Sequence, residues 1–447
     1  MITNNNLLGT ESIGKLLLKF SLPAIVGMMV NGLYNVVDRF FIGKLGALAM
    51  TGIGINFPFM TLIMAFSSLV GVGAAATISI RLGENRKSDA EKTLGNAFAL
   101  LAIIMILVSI IGLSFKTHLL YLFGASEATI GYASEYITII LCGTVFQGIG
   151  LGLNNVINAE GNPRKAMFTM LIGAIINIIL NPILVFSLNM GVSGSALATV
   201  ISQFVSSIWV ISHFIVGKSN LKLKRENLKL NLQIINGIIS IGMTPFFAQI
   251  AATIEAIISN SALRTNGGDI AISAMTVINS IIILLFMPLM GITQGAQPIL
   301  GFNYGAKQFK RVKETLKVAI IAATTLCIIT FSLTQIFPVI LIKIFNKDPE
   351  LIRIASHGLR VFLLMTPIIG VQIVSSNYFQ AIGKAKSALI LSMLRQVIIL
   401  IPMLLILPNF FGLEGVWMAG PIADFMASVI TAILLYKEMR LLAITEP

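Results

Sequence analysis

A polytopic α-helical membrane protein is the fold class this sequence predicts, and three observations predict it. The chain has 447 residues, of which 56% are hydrophobic and only 11% charged, and its mean hydropathy of +0.92 is far above that of a soluble domain. Apolar runs long enough to cross a bilayer, about 20 residues each, recur from end to end. The basic residues, which give a net charge of +13, fall in short loops between those runs. That placement follows the positive-inside rule and removes the case for a nucleic-acid partner. Cys142 and Cys327 both lie in apolar stretches and imply no disulfide framework. The opening MITNNNLLGTESIGK is polar and lacks a cleavage site, so the first span is expected to stay in the protein.

Taken in order, the apolar runs give twelve spans: 15–40, 52–80, 93–115, 130–156, 166–188, 192–216, 233–262, 270–300, 312–342, 358–381, 387–407 and 412–436. Spans two and eight are Gly-rich, which suits close helix packing. Alternate loops are rich in Lys and Arg: Arg81, Arg86, Lys87 and Lys92; Arg164 and Lys165; Lys218, Lys222, Lys224, Arg225 and Lys229; Lys307, Lys310, Arg311 and Lys313; Lys384 and Lys386. The loops between them are poorer, with Lys44, Lys116, Arg264, Lys343 and Lys347. The rich loops and both termini share one side, expected to be cytoplasmic in a multi-pass protein of the plasma membrane.

The first span carries an acid, Asp38, near its end and Pro23 near its start. A carboxylate at the bilayer centre costs roughly 2.5–3.5 kcal/mol on insertion scales, so an acid within a span points to a use. The alternative is an interfacial Asp38 paired with Arg39 or Lys44. Pro23 removes one helical hydrogen bond and offers a bend, or is simply a tolerated kink.

The chain also repeats itself at a shift of 222 residues, where Gly73–Ala97 lies over Gly295–Ala319 without a gap. Gly73, Ala74, Gly83, Thr93, Leu94 and Ala97 meet identical residues, Pro23 falls on Pro245, and NAEG (158–161) falls on QAIG (380–383). A shift of 221 lays GVSGSALA (191–198) on GLEGVWMA (412–419). Six spans per half make the halves parallel repeats, related by an axis along the membrane normal. The expected organisation is an N-lobe over 1–216, a basic cytoplasmic linker over 217–231 that is solvated, and a C-lobe over 232–447. Rocking of two six-helix bundles would give alternating access.

VVDRFFIGKLGALAMTGIG in the first hairpin, NAEGNPRKAM after span four, NIILNPILVFSLNMGVSGSALAT through spans five and six, and QGAQPILGFNYGAK after span eight carry a resemblance. They resemble the multidrug and toxic compound extrusion (MATE) family, over nearly the whole chain, and its bacterial multidrug-export branch. The resemblance implies a twelve-helix antiporter that expels organic, mostly cationic drugs in exchange for H⁺ or Na⁺. It implies small-molecule drugs and membrane lipid as partners, action as a monomer, no cofactor beyond the coupling ion and no metal beyond Na⁺. It also implies an N-lobe ion site of Asp38, Tyr136, Asn177 and Thr199. Relatives often carry an aspartate one turn after the asparagine, where this chain has Asn181. That change leaves Asp38 as the sole acid of the set.

The residues themselves allow the same chemistry. A carboxylate among neutral Asn, Tyr and Thr oxygens can hold a proton or Na⁺; burial favours the proton and neighbouring donors oppose it. Asn177 and Asn181, four apart, share a helix face. The plainer uses are interhelical hydrogen bonding for the asparagines, an interfacial aromatic for Tyr136 and bonding of Thr199 to its own helix. In the second half Glu255 is another acid within a span, for ion or drug contact or for a structural pair. Arg395 in span eleven and Asp424 in span twelve suit a structural charge pair. Asn279, Gln294 and Gln297 suit a wet lining or helix–helix bonding. The 20 Met and 27 Phe suit a promiscuous apolar surface.

Two other classes remain as alternatives. A flippase for a lipid-linked substrate would want a strongly basic cleft, and the cations within spans are few (Arg395, Arg39, Arg360). A membrane-embedded enzyme would need a catalytic cluster; His118, His213 and His357 are scattered, and no GxxxxGK[ST] motif is present to bind ATP.

Overall fold

The computed structural model describes residues 4–217 and 219–444, with the side chains at 4–6, 34–36, 39, 40, 47, 443 and 444 excepted. Lys218 of the basic linker, and the side chain of Arg39, therefore lie outside the described residues. The described residues are helical almost throughout. In order they form α1 (Asn4–Thr10), α2 (Ile13–Gly43), α3 (Ala47–Ile55), α4 (Phe57–Gly83), α5 (Lys87–Leu122), α6 (Ile130–Ala159), α7 (Pro163–Pro182) and α8 (Gly191–Ile215). After a short 3₁₀ turn come α9 (Leu232–Gly305), α10 (Phe309–Ile336), α11 (Pro338–Lys343), α12 (Pro349–Phe362), α13 (Thr366–Ala381), α14 (Ala385–Met393) and α15 (Ile401–Ile444). π-Helical turns at Ile183–Ser187 and Leu394–Leu400 extend α7 and join α14 to α15.

Nine helical runs among the described residues are long and apolar enough to span a membrane, or ten if the bent pair α12–α13 is one span. Two of the runs are double. α9 breaks at Gly268, with φ of 67°, and α15 breaks at Gly412, with φ of 57°. Counting each as two spans gives the twelve of the fold. Span ten is the one whose shape differs from expectation: it is two helices bent by 54° rather than one rod over 358–381. Pro367 stands in the first turn of α13, where its missing amide hydrogen is tolerated, whereas inside one continuous rod it would remove a helical hydrogen bond.

The backbone obeys the internal repeat. Positive φ angles occur at Gly46 and Gly268, at Asn85 and Lys307, and at Gly161 and Gly383, each pair 222 apart, and at Gly191 and Gly412, 221 apart. The break in α9 is thus the second copy of the turn between α2 and α3.

Contact density divides the chain into two compact units: Met1–Thr10 with Val26–Phe246, and Glu11–Ile25 with Phe247–Pro447. The dividing points follow Pro23 and Pro245 closely, so they too repeat. Within the first unit, the start of α9 crosses α4 backbone to backbone. A Cβ on Gly73 would stand 2.0 Å from the Ile238 carbonyl oxygen, and one on Gly242 would stand 1.7 Å from that of Leu69. Within the second unit, the start of α2 crosses the later part of α9 in the same way. A Cβ on Gly295 would stand 2.7 Å from the Ser21 nitrogen, and one on Gly291 would stand 2.8 Å from that of Ile25. Gly73 and Gly295, identical in the repeat, serve the same crossing.

The basic linker is docked on the first unit rather than solvated along its length. Glu91, on α5, accepts from the Lys222 amide at 3.3 Å and pairs with Lys224 at 2.8 Å. That hydrogen bond and charge hold the Lys224 ammonium above its ordinary pKa. Asn96 Nδ2 donates to the carbonyls of Asn227 and Lys229, both at 3.2 Å, and its Oδ1 accepts from the Asn231 amide at 2.7 Å. Fully buried Glu160 accepts from Ser219 at 2.5 Å, from Asn162 at 2.6 Å and from His213, whose other ring nitrogen meets Lys165 at 3.0 Å. These polar partners offset the cost of burying that carboxylate.

The second unit packs around Trp417, Ile278, Met275 and Leu359. It also holds the pair expected from sequence: Arg395 Nε donates to Asp424 Oδ1 at 2.5 Å, with Asp424 buried. Arg395 stands in the π-helical turn of span eleven.

Two outcomes follow for the detergent-purified protein. Gly73→Leu and Gly295→Leu each drive a side chain into backbone, and overpacking costs about 1–3 kcal/mol or more; thermal unfolding should fall sharply. Gly237→Ala, with nothing within 4 Å of its Cβ, is the neutral or stabilising control. Arg395→Ala strands a buried carboxylate and should cost about 3–5 kcal/mol, whereas Arg395→Met with Asp424→Leu should recover much of it.

Candidate ion site

Asp38 lies on the last turns of α2 and is half-buried. Two more helices bring it partners. α7 ends at Pro182, which has no amide hydrogen to give, and the helix opens into the wider π turn there. Such turns are frequent at functional sites. α8 then starts after Gly191, at φ of 54°, a backbone state that glycine takes without steric cost. Gly194 lies against the backbone of that π turn: a Cβ there would stand 2.8 Å from the Leu184 carbonyl oxygen. The close approach sets the first turn of α8 beside the end of α7.

The result is a closed ring of hydrogen bonds across three spans. Asn181 Nδ2 donates to Asp38 Oδ1 at 2.5 Å and, more weakly, to Asn177 Oδ1 at 3.4 Å. Asn177 Nδ2 donates to Thr199 Oγ1 at 3.1 Å, and that hydroxyl donates to the Ser195 carbonyl at 3.1 Å. Ser195 Oγ closes the ring by donating to Asp38 Oδ1 at 3.2 Å. Asn177, Asn181, Ser195 and Thr199 are all buried, with Asn181 and Ser195 fully so. Asn181 Oδ1 is a buried acceptor with no hydrogen-bond donor among the described residues. The ring offers one carboxylate and several neutral oxygens, a set that suits one monovalent cation or a proton.

Of the residues expected from sequence, Asp38, Asn177, Asn181 and Thr199 meet in this ring. Thr199 does bond to its own helix, as its plainer use requires, while also accepting from Asn177. Tyr136 is buried on α6, which packs on α8. Pro23 is buried inside α2, which runs as a helix through it. Ser195 is the member that sequence reading passes over. Its signal was available: Ser195 and Thr199 have the same four-residue spacing as Asn177 and Asn181.

Among the described residues, the second unit offers no matching ring. Asp38 falls on Asn260 at the 222 shift, and Ser195 and Thr199 fall on Val416 and Gly420 at the 221 shift. Glu255, half-buried on α9, is close enough to Arg395 and Asp424 for the three charges to act on one another. Asn279 is exposed, while Gln294 and Gln297 are half-buried. Asn279 and Gln297 stand about 27 Å apart along their helix at 1.5 Å per residue, so these amides form no single cluster. Gln297 Nε2 is buried without an acceptor among the described residues.

Comparison with known proteins places the chain in a family. The family model described as MatE matches residues 23–183 and 245–406, two segments that begin at Pro23 and Pro245. A relative from Staphylococcus haemolyticus, "Multidrug export protein MepA", is 27% identical over 439 residues, covering 98% of this chain and 96% of its own. A solved structure described as that of the MATE multidrug transporter DinF-BH is 40% identical, with a TM-score of 0.90 and 96% of each chain covered. A second, described as MATE in the bent conformation, shares the fold with a TM-score of 0.93 at 24% identity, covering 99% of this chain and 98% of its own. With two family segments spanning most of its length and a MATE fold throughout, the chain belongs to the MatE family of membrane transporters.

Proposed function

We propose that this chain is a secondary active multidrug exporter, expelling amphipathic, mostly cationic drugs in exchange for H⁺ or Na⁺ entering the cell by alternating access. The family supports export, and the name of the staphylococcal relative supports drugs as the cargo. The observation that carries the coupling is the ring around Asp38. A carboxylate embedded in an apolar span and met by an amide and a hydroxyl can cycle between charged and neutral forms. Membrane potential assists: one charge moving inward through 100 mV releases about 2.3 kcal/mol. Pro23, in the same helix as Asp38, is the position at which α2 would bend as the ion exchanges. In this reading the protein acts as a monomer in the plasma membrane, and both termini are cytoplasmic because the basic loops share their side. Glu255 is a proposed contact for ion or drug, and Asn279, Gln294 and Gln297 are proposed polar contacts for the drug.

Flippase activity lacks support in the cations. Arg395 is committed to Asp424, and Arg360 is exposed, with its guanidinium on the Gln335 carbonyl at 3.2 Å.

Cells expressing the chain should accumulate less ethidium than control cells, and Asp38→Asn at equal expression should abolish the difference. Full efflux by that variant would take Asp38 out of the mechanism. Efflux in sodium-free buffer, with and without a proton uncoupler, identifies the driving ion: persistence without sodium and collapse with uncoupler assign H⁺, and the reverse assigns Na⁺.

A further inference from the structure

Ser195 is the joint of the ring, and its role is not explained by packing. Its carbonyl accepts from Thr199 and its hydroxyl donates to Asp38, so one residue ties α8 to α2 while the Asn177–Asn181 pair ties α7 to α2. The second half of the molecule shows what the position needs structurally. There the same turn of helix, after the same left-handed glycine and beside the same close glycine crossing, carries a buried Val416. A Cβ on Gly415 would meet the Leu407 carbonyl oxygen at 2.4 Å, much as one on Gly194 would meet that of Leu184 at 2.8 Å. The fold at this point therefore forms with an apolar side chain, and the hydroxyl of Ser195 answers to the acid alone.

That hydroxyl falls on the oxygen already held by Asn181, so Asp38 Oδ1 receives two donors. Donors to a carboxylate stabilise its charged, unliganded form and so weaken its hold on a proton. They compete in the same way with a metal cation for the oxygen's lone pairs. An exporter must release its coupling ion on every cycle, and an acid buried without donors would keep it.

We propose that Ser195 is a specificity-determining, positioning residue of the ion site. Its hydroxyl orients the Asp38 carboxylate and lowers the affinity of the site for the coupling ion to a value from which the ion is released. This rests on the reading of Asp38 as the ion-binding acid.

The test uses the full chain in proteoliposomes, with ethidium transport driven by an imposed H⁺ or Na⁺ gradient and measured against driving-ion concentration. Ser195→Ala removes the donor with the loss of one atom. The half-saturating concentration of the driving ion should fall about tenfold, the scale of a hydrogen bond to a charged group, and the maximal rate should fall as release slows. Ser195→Thr keeps the hydroxyl and should restore the wild-type half-saturation. A merely structural role would lower the rate of Ser195→Ala without moving the half-saturation, and that result overturns the proposal. A raised half-saturating concentration also overturns it, since the hydroxyl would then be a ligand of the ion rather than a brake on it. Asp38→Asn run beside these separates the two readings. An inactive Asp38→Asn with a wild-type ion dependence in Ser195→Ala ends the role of Ser195 and leaves Asp38 in place; an active Asp38→Asn ends both.

Discussion

A carboxylate inside an apolar helix has to find hydrogen-bond donors, and a helix cannot supply them from its own backbone, whose amides are already engaged. Asp38 finds its donors on two other spans, and much of the local architecture serves that meeting. Pro182 and the π turn reshape the end of α7 where Asn181 sits. The left-handed Gly191 and the bare Gly194 bring the first turn of α8 against that turn, which sets Ser195 in reach of the same oxygen.

Two buried acids, Asp424 and Glu160, meet the same difficulty with other partners. Asp424 has the Arg395 guanidinium, and Glu160 has a ring of His213, Asn162 and Ser219 with Lys165 behind the histidine. Asp424 is matched by a fixed cation, whereas Glu160 is satisfied by three neutral donors. Asp38 receives an amide and a hydroxyl from two other spans on one of its oxygens. Glu255, beside an arginine that is already committed to Asp424, lies between these cases.

The internal repeat has a physical basis that goes beyond shared ancestry of a pattern. Gly73 and Gly295 stand where the opening helix of one repeat crosses the second helix of the other, so neither can carry a side chain. The first halves of α2 and α9 accordingly belong to compact units different from those of their second halves. The basic linker is docked by Glu91, Asn96 and Glu160 on the unit that also holds the start of α9. The repeat is broken at the ring, where asparagine, valine and glycine replace the acid, Ser195 and Thr199. The two halves share a scaffold, and among the described residues only the first carries the ring around Asp38.

The membrane class, the twelve spans, the repeat register and the shared face of Asn177 and Asn181 are all legible in the order of residues. Hydrophobic run length, loop charge and helical period are local properties, and they can be counted along a chain. That order could not show that span ten bends, since the apolar run continues through Pro367, nor that the linker is docked, since a charge run reads as solvated until buried carboxylates meet it. Ser195 escaped for the same reason. It lies 157 residues from Asp38, and Asn181 lies 143 away. Contacts over such separations depend on how closely two helices approach. That distance is set by glycines, a proline and a π turn acting together, so only the packed structure decides which donors reach the acid.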